Sequence, residues 1–124
     1  MKIRSIIILL FLVTNLNSHS QITAQKSETR LAILESSYAF ADCGIMAYAY
    51  GLKFRIVNTD FDFVCIIPCP EGYGKYFFQK GNKYQLEVKK VNNLDSAYHG
   101  YTIQNPYKKY NLPVYSVFSI KKRK

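Results

Sequence analysis

From residue 44 onward the hydrophobic positions fall on a two-residue beat. Met46, Tyr48, Tyr50, Leu52, Phe54 and Ile56 are large and apolar. The intervening Ile45, Ala47, Ala49, Gly51, Lys53 and Arg55 go from apolar through small to charged. Such alternation predicts a strand over about 44–56 with one face in a core. That is longer than the usual 3–10 residues, and Gly51 is the natural place for a bend or bulge. Asn58-Thr59-Asp60 reads as a turn. A second strand carries Phe61, Phe63, Cys65 and Ile67 on one side and stops at Pro68-Cys69-Pro70, because proline donates no ladder hydrogen bond.

Gly72, Gly74 and Gly81 bracket Tyr73, Tyr76, Phe77 and Phe78, which predicts one helical turn packed on the sheet by its aromatics. Tyr84, Leu86 and Val88 alternate with Gln85, Glu87 and Lys89 in a third strand with one wet face. A turn at 92–96 leads to a short strand around Tyr101 and Ile103. A loop over 106–113 leads to a last strand with Val114, Ser116, Phe118 and Ile120, and Lys121-Lys122-Arg123-Lys124 is the tail. Ahead of the first strand the spacing is helical instead. Ser27 is placed to cap, Glu28 lies in the first turn, and Leu31, Leu34, Tyr38 and Ala41 follow at steps of three and four.

The expected fold is therefore mainly β. It is a small five-stranded OB-like barrel with a short N-terminal helix and one helical turn between strands. An open α+β roll is the alternative.

The beginning of the chain is of another kind. Lys2 and Arg4 precede an unbroken apolar run from Ile6 to Val13, and a polar stretch ends in Ser18-His19-Ser20. This is the pattern of a cleavable secretory leader over 1–20, cut between Ser20 and Gln21. Spanning a bilayer takes about 20 apolar residues, far more than this run supplies. No cysteine closes the run, so a lipid-anchored start is not expected. The expected organisation is a leader at 1–20, a flexible polar lead at 21–27 and a single domain at 28–124. The mature protein is expected to be exported, without a transmembrane segment, to the periplasm or the medium.

The whole chain has 124 residues, Lys+Arg 17 and Asp+Glu 8, a formal charge of +9. Loss of Lys2 and Arg4 with the leader lowers this to +7. That excess keeps a small protein dissolved and favours anionic partners. Eleven tyrosines and no tryptophan suit half-buried pleated surfaces.

Part of the chain resembles a known family. Ala41-Asp42 leads into a long strand, a hairpin ends Ile67-Pro68-Cys69-Pro70, and Phe77-Phe78-Gln79-Lys80-Gly81-Asn82-Lys83-Tyr84-Gln85-Leu86 follows. Over about residues 40–90 this is similar to the netrin-like branch of secreted OB-folds, which includes the tissue inhibitors of metalloproteinases. Small exported envelope proteins of Gram-negative bacteria carry similar patterns. The resemblance implies the barrel. It does not imply protease inhibition: those inhibitors chelate the protease metal through an N-terminal cysteine, whereas here the new N-terminus is Gln21 and the first cysteine is Cys43.

Three cysteines in an oxidising compartment imply one disulfide and one leftover thiol. Cys65 and Cys69, if extended, lie about 13 Å apart at Cα, too far for a bridge. If Val57 pairs with Phe61, Lys53 faces Cys65 and Ala49 faces Cys69, which leaves Cys43 nearer to Cys69. The expected bridge is Cys43–Cys69, with Cys65 a small buried hydrophobe. The rival is a zinc site of Cys43, Cys65, Cys69 and His99, but Cys65-x₃-Cys69 supplies only half of a structural zinc spacing. No metal or cofactor is expected.

Nothing in the sequence assembles a catalytic set. His99 is the only histidine after the leader and sits in a Ser96–Gly100 loop. Asp60 and Asp62 flank a turn, and Gly72-Tyr73-Gly74-Lys75 is too short for a phosphate loop. The expectation is an exported, non-catalytic binding module whose partner is an unidentified protein or an anionic glycan. The alternative is an OB-fold binding polyanions, either glycan or single-stranded nucleic acid, by stacking aromatics over a basic groove. Lys53, Arg55, Tyr107, Lys108, Lys109 and Tyr110 are the candidate ligand surface. Export argues against nucleic acid. A small thiol hydrolase ranks last.

Overall fold

The computed structural model describes residues 27–36 and 39–124. The leader, most of the polar lead and Tyr38 lie outside the described residues. Six strands follow one another: β1 Glu28–Leu34, β2 Tyr48–Ile56, β3 Asp62–Pro68, β4 Lys83–Lys90, β5 Thr102–Gln104 and β6 Val114–Arg123. A 3₁₀ turn at Pro70–Tyr73, a single helical turn α1 at Leu94–Ala97 and a second 3₁₀ turn at Lys108–Tyr110 lie between them.

The sheet runs β1-β4-β6-β3-β2-β5, and an added β1–β2 pairing joins its ends into a ring of five. Within that ring β4-β1-β2-β3 is the Greek-key order. β3 and β6 run parallel, whereas the other ring pairs are antiparallel. Ring closure makes this an OB-like barrel rather than an open roll. β5 lies outside the ring, parallel to the first residues of β2.

The barrel is filled from every strand of the ring. Ala32 and Leu34, Leu52 and Phe54, Phe63, Cys65 and Ile67, and Tyr84, Leu86 and Val88 form one buried cluster. Tyr115, Val117 and Ile120 of β6 pack against it. Burying a side chain of this size contributes about 1.5–3 kcal/mol. A second cluster lies on the outer face of β2 and β3, where Ala49, Val64, Ile66 and Tyr98 are buried. α1 and the loop after β5 cover it through Leu94, Tyr107 and Leu112. Phe63–Ile67 is therefore buried on both faces, which is why its sequence is a continuous apolar run.

Five expectations are corrected. The helix at the start of the domain is strand β1. Ala32, Leu34 and Ser36 are buried at two-residue spacing while Leu31 is exposed. This strand pairs with β4 over 28–33 and with β2 over 32–34, so it is the stave that closes the barrel. The first long strand begins at Tyr48, not Gly44. Met46 is 53% exposed, because Cys43 is tied down and Tyr48 N–H donates to its Sγ at 3.3 Å, turning residues 44–46 into a bend.

The β2–β3 register is one residue from that expected: Leu52 faces Cys65 and Ala49 faces Pro68. Asn58 in the left-handed region (φ 62°) and Thr59, bonded to both Ile56 O and Phe61 N, shape the turn that sets it. The ladder also passes Gly51 without a bulge. A Cβ there would lie 2.7 Å from Asn105 Oδ1, so the glycine makes room for the chain after β5. Finally, β6 does not keep one phase. A bulge sets Val88 opposite Val117 and Glu87 opposite Ser119. The skipped Phe118 is 62% exposed, and Ile120 takes the inward position beyond it.

Candidate ligand surfaces

Lys53 and Arg55 project from β2 to the side opposite Leu52 and Phe54, as alternation requires. The barrel brings two carboxylates to them, Asp62 across the hairpin and Glu35 from the end of β1. Arg55 Nε is 2.9 Å from Asp62 Oδ1 and 3.1 Å from Glu35 Oε1. Lys53 Nζ is 3.6 Å from Asp62 Oδ2 and 3.8 Å from Glu35 Oε2. Two cations and two anions make a neutral network, not a basic patch. The hydrogen bond from Arg55, with the charge of Lys53, holds the Asp62 carboxyl below its ordinary range. The same bond holds the Arg55 guanidinium above its own.

Asp62 thus has a lower pKa folded than unfolded. Its contribution to stability is present above the unfolded value of about 3.9 and is lost as pH falls through the folded value. Melting temperatures measured from pH 7 to pH 3 are expected to fall more steeply for the wild type than for Asp62→Asn. Parallel curves would mean that the network contributes nothing.

The other half of the expected surface lies on the second 3₁₀ turn. Tyr107 packs on the outer cluster, and Lys108, Lys109 and Tyr110 are exposed. Lys109 Nζ sits 5.2 Å from the Tyr110 ring centre. Among the described residues no ion pair or ring contact joins this turn to Lys53 or Arg55.

A different surface collects unbalanced charge. On the outer face of β1, β4 and β6 a groove of about 480 Å³ is lined by Thr29, Leu31, Lys83, Gln85, Arg123 and Lys124. The register makes it. Lys83 lies opposite Arg123, Gln85 opposite Lys121, and Leu31 opposite Gln85 on the other side of β4. Arg123 donates through Nε to Gln85 Oε1 at 3.0 Å and also through Nη2, which fixes the guanidinium. Among the described residues no acidic side chain lines the groove; the next outward residue of β4, Glu87, accepts a hydrogen bond from Ser27. The sequence marked these residues only as a wet strand face and a tail. What it lacked was the pairing of β4 with β6, which sets the two cationic ends side by side.

The sulfur chemistry is as expected. Cys43 and Cys69 form a disulfide with Cα atoms 5.6 Å apart, and Cys65 is a free, fully buried thiol. Burial pushes the Cys65 thiol far up, so it is not a thiolate near neutral pH. His99 is exposed, two residues beyond the end of α1. Sγ of Cys43 and of Cys69 and a Glu71 oxygen lie within 4.8 Å of one another, but the two sulfurs are bonded to each other and offer no thiolate to a metal. Burial likewise pushes the Tyr98 hydroxyl up to about 12, and it donates to the Ile66 carbonyl at 3.2 Å.

Among the described residues no helix is long and apolar enough to cross a membrane. No family model, curated protein or solved structure matches the chain. The fold and its surface define a class: a disulfide-tied, OB-like barrel with a neutral ion network on one side and a cationic groove on another.

Proposed function

We propose that the protein is an exported, non-catalytic binding module that takes an anionic glycan chain along the outer face of β1, β4 and β6. The observation that carries this reading is the groove in which Lys83, Arg123 and Lys124 converge with no acidic side chain among the described lining residues. Attraction between such cations and a polyanion is screened by salt, so binding should weaken as ionic strength rises. A disulfide is at home in an oxidising compartment, which supports export. The non-catalytic reading is supported by the buried thiol, the oxidised cysteine pair and the exposed position of His99.

Heparin chromatography tests it. The wild type is expected to elute at clearly higher salt than a neutral protein of similar size. The triple variant Lys83→Gln/Arg123→Gln/Lys124→Gln should elute much earlier. A control with the same loss of charge, Lys75→Gln/Lys80→Gln/Lys109→Gln, should shift much less. Equal shifts for the two triple variants would reduce the effect to net charge and remove the groove from the argument.

A further inference from the structure

The chain is strongly basic, yet one pocket beside the disulfide is acidic. It has a volume of about 520 Å³ and is lined by Ala39, Phe40, Asp42, Glu71, Gly74, Lys75 and Phe78. Its size falls within the range of small-ligand sites, roughly 300–1,000 Å³. The bridge to Cys69 brings Cys43 against the 3₁₀ turn that carries Glu71. The Cys43 amide donates to Glu71 Oε1 at 2.6 Å. Glu71 Oε2 is buried and has no hydrogen-bond partner among the described residues. A buried carboxylate oxygen left without a donor is costly, so a cation beside it would be favourable.

The walls are aromatic and held in place. The Phe40 and Phe78 rings meet edge to face at 6.2 Å. Phe40 also rests on Tyr50 at 5.0 Å, and Phe78 on Tyr73 at 5.3 Å and Phe77 at 4.9 Å. Asp42 and Glu71 face one cation, Lys75, and that ammonium lies 5.4 Å from the Tyr76 ring centre. No ion pair engages Asp42, Glu71 or Lys75 among the described residues. Aromatic walls, an unpaired carboxylate oxygen and a net negative lining together select a cation on an apolar stem.

We infer that this pocket binds an alkylammonium group, with the ammonium at Glu71 and Asp42 and the stem against the wall formed by Phe40 and Phe78. The group could arrive on a free small amine or at the end of a partner's lysine side chain. The site is separate from the cationic groove and stands whether or not glycan binds there.

Titration of the full mature protein with n-butylammonium, followed by the amide NMR signals of Cys43 and Glu71, tests it. Saturable shifts are expected, with n-butanol giving none. Glu71→Gln, which keeps an acceptor for the Cys43 amide, should weaken binding about tenfold, as loss of a charged hydrogen-bond partner does. Asp42→Asn, at an exposed residue, should weaken it several-fold without changing the melting temperature. A second titration with Nα-acetyl-lysine amide, whose side-chain ammonium is free, separates the sources. Tighter binding than n-butylammonium assigns the pocket to a protein partner, and weaker binding assigns it to a free amine. Equal shifts with n-butanol, or n-butylammonium binding unaltered in both variants, would overturn the inference.

Discussion

Replacing Tyr84 by alanine is expected to remove about 3–5 kcal/mol of stability, the usual cost of deleting a fully buried aromatic side chain. Against a total of some 5–15 kcal/mol this brings the domain close to unfolding. Tyr84 is 0% exposed and its ring meets Phe54 at 6.0 Å, Phe77 at 5.6 Å and Phe78 at 5.9 Å. It therefore joins the barrel interior to the aromatic segment that follows the first 3₁₀ turn. The hydroxyl does separate work: it donates to the Phe77 carbonyl and accepts from the Gln79 amide at 3.0 Å. Tyr84→Phe keeps the ring and leaves both backbone groups without that partner, for an expected loss of about 1–3 kcal/mol. Urea unfolding followed by circular dichroism would measure both variants. Hydrogen exchange would show whether the amides of 77–79 open first in Tyr84→Phe. A Tyr84→Phe variant as stable as the wild type would mean that the hydroxyl does not hold this segment.

Much of the barrel was legible because most staves have one oily face and one wet face. β4 is the clearest case: Tyr84, Leu86 and Val88 are all fully buried, as alternation requires. β1 was not legible, since Leu31-Ala32-Ile33-Leu34 is a four-residue apolar run that fits a helix or a strand equally. Its identity comes from partners distant in sequence, Gln85 opposite Leu31 and Phe54 opposite Leu34. The bulge in β6 was hidden for a related reason. Only the pairing with β4 shows that Phe118 is skipped, and its size argued for the interior.

The β2–β3 register, by contrast, could have been read from the chain. Residues directly opposite share a face, so a pairing of Lys53 with Cys65 sets a charged outward position against an inward one. Pairing Leu52 with Cys65 and Phe54 with Phe63 removes that conflict. The same pairing sets Arg55 opposite Asp62 and so foretells half of the network that neutralises the expected cationic strand. The other half, Glu35, depends on β1 being a strand. The cationic groove needed both the β4–β6 pairing and the turn of the barrel, neither of which leaves a local trace.

Removing the disulfide is the second large effect. Cys43→Ala/Cys69→Ala is expected to lose about 2–4 kcal/mol, because the bridge spans 26 residues and restricts the unfolded chain over that length. For a domain of this size the melting temperature should fall by roughly 10–20 °C. Cys65 cannot replace either partner: it is buried in the barrel interior opposite Leu52, whereas Cys43 is only half-buried outside the strands. Wild-type protein melted in dithiothreitol should therefore match the double variant, and the double variant should not respond to dithiothreitol. The loss should not be uniform. Residues 28–34 and 83–90 pair without help from the bridge, so circular dichroism should still report a β fold. The Cys43 amide, in contrast, loses its anchor to the 3₁₀ turn and with it the contact to Glu71 Oε1. If the double variant melted within a degree or two of the wild type, the bend at 43–47 would be held by the strands alone. If instead the whole β spectrum collapsed at room temperature, the barrel core would be too weak to close without its covalent tie.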